Sequence, residues 1–204
     1  MDFKKMMSFV KDKLEKNDAI VDKRFTFRNR YDHSIRVFKW VKRLSVDYDN
    51  FDYDVALTAA IFHDVGYAYG QSMHPENSSK IFLEYANNEG FNQNFIDKVN
   101  YIILNHSNKG MLKDTKNAEL IILLEADLLD EEGSMGIVWD LLAAGKDADS
   151  YVSAIKQIKS HSIHILSQDF MVTPTAIKIW DEKKNLVKDF VSQLYEDLFL
   201  EEEI

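Results

Sequence analysis

Residues 53–66 read YDVALTAAIFHDVG, a run of apolar and small side chains that ends in a histidine, an aspartate and a glycine. Its content of alanine, valine, leucine and isoleucine and its stop at Gly66 predict a buried helix that neighbouring helices approach closely. His63 and Asp64 follow that helix, where an unpaired imidazole and carboxylate would be costly to bury. The stretch therefore predicts a core helix and, at its end, two side chains that need a partner.

The rest of the chain repeats the helical pattern outward from this stretch. Only Pro75 and Pro174 interrupt 204 residues, and no alternating apolar run bounded by hairpin turns occurs, although the ILL run near residue 122 alone would also fit a buried strand. We expect an all-α helical bundle, with one domain over residues 1–204, a motif-bearing core at about 24–145 and C-terminal helices, 146–204, packing on it. Besides an amphipathic N-terminal helix, helices are expected at about 32–44, 53–62, 75–90, 94–105, 116–129, 135–144, 148–166 and 175–200.

Composition excludes several classes of protein. Thirty-four acidic and 25 basic residues give a net charge of −9, which disfavours non-specific binding to a nucleic-acid backbone. The absence of cysteine rules out disulfides, thiolate metal sites and cysteine nucleophiles, so a cytoplasmic location is the simplest expectation. No run of about 18 apolar residues is present to span a membrane, and the charged N-terminal segment does not resemble a secretory signal.

Two residues far from the doublet complete a candidate metal site. His33 opens a helix, and Asp127 lies within ILLEADLLDEEG, where leucine and alanine neighbours make its desolvation costly. Together with His63 and Asp64 these residues supply two imidazoles and two carboxylates, a ligand set that suits Mn, Fe, Zn, Ni or Mg. The alternative is an all-α scaffold in which His63 merely stabilises a helix end and the protein binds no metal.

Further polar residues surround this set. All five arginines (Arg24, Arg28, Arg30, Arg36 and Arg43) lie within 20 residues around His33, and guanidinium groups suit phosphate. Arg30 is the first candidate for substrate binding, with Arg36 and Lys109 beside it; the alternative is that they face water or pair with carboxylates. Asp130, one turn after Asp127, is expected to accept a hydrogen bond from a ligating histidine.

The remaining acids and histidines are expected to have no chemical role. Glu125, Glu131 and Glu132 are expected to face water or to cap the helix after Gly133. His161 and His164 are three residues apart but have no carboxylate at matching spacing, so we interpret them as structural.

Five ordered blocks carry a resemblance to a known family. They are FRNRYDHSIRVFKW, AAIFHDVGY, HPENSSKIF, ILNHSNKG and LLEADLLDEEGSMGI, and they span about residues 28–137. In order and spacing they resemble the HD-domain metal-dependent phosphohydrolases, especially small bacterial nucleotide pyrophosphohydrolases. The resemblance implies that one divalent metal ion is bound by His33, His63, Asp64 and Asp127. His74 and His106 stand where some members add histidines for a second metal or for phosphate.

The resemblance also implies an activity. We expect hydrolysis of nucleoside or deoxynucleoside triphosphates to monophosphate and pyrophosphate, with Asp64 orienting the water and His74 or His106 protonating the leaving oxygen or holding phosphate. A phosphomonoesterase, a phosphodiesterase and a non-catalytic metal- or nucleotide-binding regulatory module are the alternatives. The expected partner is a small phosphorylated substrate, and a homodimer is left open.

Overall fold

The computed structural model describes residues 1–23, 25–147 and 150–199. These residues form helices joined by short turns, and their only β-type pairing is an isolated bridge between Val21 and Asn29. The all-α prediction is confirmed. The α-helices are α1 (Phe3–Lys16), α2 (Arg30–Leu44), α3 (Tyr53–Phe62), α4 (His74–Asn88), α5 (Gln93–Asn105), α6 (Ala118–Glu131), α7 (Ser134–Asp147), α8 (Tyr151–Ile158), α9 (His164–Leu166) and α10 (Pro174–Leu198).

The chain divides into two compact units, Met1–Asp130 and Glu131–Ile204. The first contains α1 to α5 and nearly all of α6, and the second contains α7 to α10. The expectation of one domain over residues 1–204, with the C-terminal helices packed on the core, stays a prediction.

Helix α3 is the centre of the first unit. Every residue from Val55 to Phe62 is buried, and the helix contacts α1, α2 and α5. Alanines at positions 56, 59 and 60 let these neighbours approach, while the Phe62 ring packs edge-on against Phe82 at 5.4 Å. The helix begins where the Asp52 side chain accepts a hydrogen bond from Val55 N. His63 and Asp64 follow its other end, and both side chains are buried.

Gly66 fixes the position of α4 against this end of α3. A Cβ at this residue would lie 2.0 Å from the His74 carbonyl oxygen and 2.4 Å from Ser78 N, so only glycine permits the approach. The Ser78 hydroxyl accepts from Gly66 N at 2.8 Å and donates to the His63 carbonyl oxygen at 2.6 Å. His74, the first residue of α4, is thereby held next to the His63–Asp64 doublet.

The second unit departs from the expected single helix at 148–166. Positions 148 and 149 lie outside the described residues, and α8 begins after Ser150, whose hydroxyl accepts from Ser153 N at 3.2 Å. A π-helical turn, Lys159–Ile163, then separates α8 from α9. Helix α10 buries Trp180 and runs from Pro174 to Leu198, so it begins one residue before the segment expected at 175–200 and ends before Phe199; residue 200 lies outside the described residues. Among the residues described, no helix combines the length and the apolarity needed to cross a membrane.

Candidate metal centre

Three segments of the first unit bring the four predicted ligands together. His33 lies on the first turn of α2, His63 and Asp64 follow α3, and Asp127 lies on α6. His33 Nε2 is 3.1 Å from Asp127 Oδ1, 3.6 Å from Asp64 Oδ2 and 3.3 Å from His63 Nε2. His63 Nε2 is 3.7 Å from Asp64 Oδ1 and 3.9 Å from Asp127 Oδ1. The ligand atoms of His33, His63 and Asp64 all lie within 4.8 Å of one another.

Two further histidines approach Asp64 from its other side. His74 begins α4 and His106 follows α5, and their Nε2 atoms are 3.1 Å apart. Those atoms lie 3.6 Å and 3.3 Å from Asp64 Oδ1. Asp64 therefore stands between two histidine pairs, and it forms a second compact group with His74 and His106.

The hydrogen bonds of the four rings determine which nitrogen faces the centre. His63, His74 and His106 each donate from Nδ1 to the backbone carbonyl three residues earlier, at 2.7–3.0 Å, and His33 donates from Nδ1 to Asp130 Oδ2 at 2.8 Å. In the neutral rings the Nε2 lone pairs consequently point at carboxylate oxygens, which are also acceptors. Such an arrangement is satisfied only by protons or a cation, and nitrogen with carboxylate oxygen suits a divalent transition metal. The residues present therefore fit a metal centre.

The surroundings of Asp64 and Asp127 keep both carboxylates ionised. Burial alone would raise their pKa values, but the neighbouring His63 and His106 hold the pKa of Asp64 well below its ordinary value. Lys109, whose ammonium pairs with Asp127, and His33 do the same for the pKa of Asp127. Both groups are therefore available as anionic ligands across the physiological pH range.

The two central histidines differ in their affinity for a proton. Burial disfavours the charged form of both, and it lowers the pKa of His63 to about 4. At His33 hydrogen bonds to Asp127 and Asp130 outweigh burial and raise the pKa to about 9. In the metal-free protein a proton on His33 partly balances the carboxylates, and a bound cation would displace it.

Asp130 links this centre to Arg36. Its Oδ1 accepts from Arg36 Nε at 2.8 Å, and its Oδ2 accepts from Arg36 Nη2 at 2.9 Å and from His33 Nδ1. This is the position expected for a carboxylate that orients a ligating imidazole. The Arg36 guanidinium is committed to Asp130, and its predicted contact with substrate stays a prediction.

Arg30 and Lys109 lie closer to the ligands. Arg30 is 2% exposed, its Nη2 donates to Asp22 Oδ2 at 2.9 Å, and its Nη1 is 3.5 Å from Asp64 Oδ2. Lys109 pairs with Asp127 and also donates to the His106 carbonyl oxygen. Two cationic groups thus flank the two ligand carboxylates. Arg24, which the sequence grouped with them, lies outside the described residues.

Sequence reasoning missed Tyr67 and misjudged two acids. The Tyr67 ring stacks on His74 with centroids 4.5 Å apart, and the Arg30 guanidinium carbon lies 3.6 Å from its centroid on the ring face. The AAIFHDVGY block contains this tyrosine three residues after Asp64, which was the available signal. The expectation that Glu125 and Glu132 face water or cap a helix is wrong in regard to exposure: they are 0% and 3% exposed.

Comparisons with known proteins agree with this geometry. The HD domain family matches residues 30–132, half of the chain. None of the curated proteins matches the sequence.

Solved structures extend the likeness over nearly the whole chain. An HD-superfamily hydrolase from Bacillus thuringiensis has 20% identity, covering 96% of this chain and 95% of its own, with a TM-score of 0.74. The Lin1889 protein from Listeria innocua has 20% identity, covering 97% and 98%, with a TM-score of 0.66. Bacillus subtilis YpgQ in complex with ADP has 22% identity, covering 82% and 88%, with a TM-score of 0.62. These identities establish a common fold. Given the family match over residues 30–132, the chain belongs to the HD domain family.

Proposed function

We propose that the protein hydrolyses nucleoside or deoxynucleoside triphosphates to the monophosphate and pyrophosphate. The observation that carries this proposal is the convergence of four imidazole Nε2 atoms on Asp64 and Asp127, with Arg30 and Lys109 beside those carboxylates. In this assignment the divalent ion is bound by the four predicted ligands His33, His63, Asp64 and Asp127.

Each group in the centre has a distinct task. A divalent ion held by the four ligands would polarise a phosphoryl oxygen and lower the pKa of a water molecule toward neutrality. Asp64, whose low pKa keeps it an acceptor, orients that water by accepting a hydrogen bond. Arg30 and Lys109 hold the anionic phosphate oxygens, where positive charge stabilises the transition state of phosphoryl transfer. Pyrophosphate leaves as a stable anion, so its departure depends on this charge more than on a proton donor.

His74 and His106 are better suited to hold a second ion than to act as acids. Their Nδ1 atoms already donate to backbone carbonyls, so the Nε2 atoms offer lone pairs rather than protons. Burial also lowers the pKa of His74, which opposes protonation. With Asp64 as a shared ligand they form the second group capable of binding a metal. This assignment predicts about two ions per chain by elemental analysis of the wild type and about one in His106→Ala, and unchanged metal content would refute it.

The nucleotide part of the proposal has one external support. Bacillus subtilis YpgQ, which shares the fold, has been crystallised with ADP. A nucleoside diphosphate in a related fold favours nucleotides over other phosphate esters as substrates.

The test is a product analysis. Purified protein with Mn²⁺ is incubated with the eight common ribo- and deoxyribonucleoside triphosphates, with nucleoside monophosphates and with a cyclic nucleotide, and phosphate and pyrophosphate are measured separately. We expect pyrophosphate from at least one triphosphate and none with Asp64→Ala. Release of inorganic phosphate from monophosphates would identify a phosphomonoesterase, hydrolysis of the cyclic nucleotide a phosphodiesterase, and binding without turnover a regulatory module.

A further inference from the structure

A cavity of about 480 Å³ lies in the first unit, beside the metal centre. Two loops and Arg30 line it: residues 17–23, which follow α1, and residues 67–71, which follow the His63–Asp64 doublet. Its volume falls within the roughly 300–1,000 Å³ of typical small-molecule sites.

Arg30 connects the cavity to the centre. It forms part of the cavity wall, and its Nη1 is 3.5 Å from the Asp64 carboxylate. The Arg30 side chain is only 2% exposed, and its Nε has no hydrogen-bond partner among the described residues. A buried cationic N–H without an acceptor is costly, so an anionic oxygen is the ligand that this wall lacks.

Two tyrosines line the cavity. Tyr67 lies between the Arg30 guanidinium and the His74 ring, so it belongs both to the cavity wall and to the surroundings of the centre. Tyr69 lines the cavity farther out and is 57% exposed. A planar base stacks on such a ring with a gain that is largely independent of the base's identity.

The cavity wall also contains polar residues. Asp18, Asp22 and Gln71 bring carboxylate and amide groups to the same cavity. Carboxylates accept hydrogen bonds, and an amide both donates and accepts. The hydroxyls of a ribose and the ring edge of a base present the matching groups.

We infer that this cavity binds the nucleoside of the substrate, with the base against Tyr69 and the first phosphate at Arg30. The inference rests on the proposed nucleotide substrate and deepens it. In this arrangement the first phosphate, held at Arg30, lies beside the centre, because Arg30 Nη1 is 3.5 Å from Asp64 Oδ2, and the bond to the pyrophosphate group is the one presented for hydrolysis. The bound nucleoside thus positions the hydrolysed phosphate bond at the centre, and the cavity determines which phosphate compounds are good substrates.

Binding measurements test the inference without requiring turnover. Calorimetry on the metal-loaded protein compares the four ribonucleoside monophosphates with ribose 5-phosphate and inorganic tripolyphosphate. We expect at least one mononucleotide to bind at least about fivefold more tightly than ribose 5-phosphate, because base stacking contributes that much or more.

Variants locate the binding at the cavity. Tyr69→Ala should weaken mononucleotide binding at least about fivefold, whereas Tyr69→Phe keeps the ring and should bind like the wild type. Ala19→Trp, which fills the cavity from its loop wall, should abolish the preference for mononucleotide over ribose 5-phosphate. Tyr101→Ala removes a tyrosine that is 43% exposed on α5, outside the cavity, and serves as the control. Tripolyphosphate binding should be the same in all four variants.

The outcomes separate this inference from the proposed function. Mononucleotide binding that depends on Tyr69, even without hydrolysis of any triphosphate, supports the cavity and counts against the proposed reaction. Equal binding of mononucleotides and ribose 5-phosphate, or equal binding by Tyr69→Ala and the wild type, overturns the cavity assignment even if triphosphates are hydrolysed.

Discussion

Each compact unit contains a buried group of acids and histidine, and the two groups differ in what surrounds the carboxylates. In the first unit Asp64 faces His33, His63, His74 and His106, and Arg30 lies 3.5 Å away. In the second unit Asp140 is 0% exposed, pairs with His161 Nδ1 at 2.9 Å and accepts from Ser162 N at 3.3 Å. Glu132 lies in the same group, and its Oε2 has no hydrogen-bond partner among the described residues.

Burial alone does not make a carboxylate suitable as a metal ligand. Burial raises the pKa of Glu132 to about 7 because His161 and Lys183 compensate it only in part and Asp140 opposes ionisation. At Asp64 the same burial is outweighed by imidazoles. Moreover, every set of three potential ligands that lies within 4.8 Å in the described residues contains His33 or Asp64. Convergent nitrogen atoms, and not buried acids as such, distinguish the candidate metal centre from the polar cluster of the second unit.

The largest expected effect is a difference in kcat between two variants, one with an acid of the first group replaced and one with an acid of the second group replaced. Asp64→Ala should lower kcat by more than the 10- to 100-fold that loss of an outer partner of a metal site costs, because the variant removes a proposed direct ligand. Asp140→Asn should leave kcat of the folded protein unchanged while lowering the midpoint of thermal unfolding. Steady-state kinetics with calorimetry measures both quantities. A comparable loss of kcat in the two variants would show that the group around Asp140 supports activity as much as Asp64 does.

Removal of metal should destabilise the wild type. An ion at a concentration 100 times its Kd stabilises the folded state by about 2.7 kcal/mol, which corresponds to about 5–10 °C in Tm for a chain of this size. We therefore expect a chelator to lower Tm by that amount and added Mn²⁺ to restore it. Asp64→Ala is the control, since it should be insensitive to the chelator. Equal shifts in the two proteins would place the responsible ion elsewhere.

A smaller effect is expected where a carboxylate acts through another residue. Asp130→Asn keeps the size of the side chain but loses the charge that holds His33 and Arg36. Its affinity for Mn²⁺, measured by competition with a chelating dye, should fall by about 10- to 100-fold. Asp97→Asn, an exposed carboxylate on α5, is the matched control and should bind Mn²⁺ like the wild type. Unchanged affinity in Asp130→Asn would mean that His33 does not depend on this partner.

Much of the fold follows from local patterns in the sequence. The helix expected at 53–62 has the observed bounds, and that expected at 94–105 begins one residue early, at Gln93. Apolar periodicity and the positions of proline and glycine suffice for such segments. The π-helical turn Lys159–Ile163 was missed, because π-helix is rare and occurs as single turns within α-helices, so no local propensity or capping rule marks it.

The candidate site, too, could be predicted from the sequence only in part. The candidate ligands, which the fold brings together, were predicted from the chemistry of Asp127 and the His63–Asp64 doublet together with the ordered blocks. Tyr67 was missed because its role depends on contacts with the His74 ring and the Arg30 guanidinium, which meet it only in the folded protein. The partner of His161 was missed because Asp140 comes from a different helix, 21 residues earlier, and no local spacing rule reaches that far.

The smallest expected effect concerns stability and distinguishes Glu132 from the acids of the metal centre. Because burial raises the pKa of Glu132 from 4.5 to about 7, the folded protein binds more protons than the unfolded chain between these values. The free energy of unfolding should therefore fall as the pH rises, by about 1 kcal/mol from this group between pH 6 and pH 7. Glu132→Gln removes the ionisation and should abolish this contribution, as measured by denaturant titrations at a series of pH values. Glu196→Gln, an exposed glutamate of the same unit, should retain the wild-type slope. If Glu132→Gln also retains that slope, Glu132 is ionised in the folded protein like Asp64, and the contrast between the two buried groups is lost.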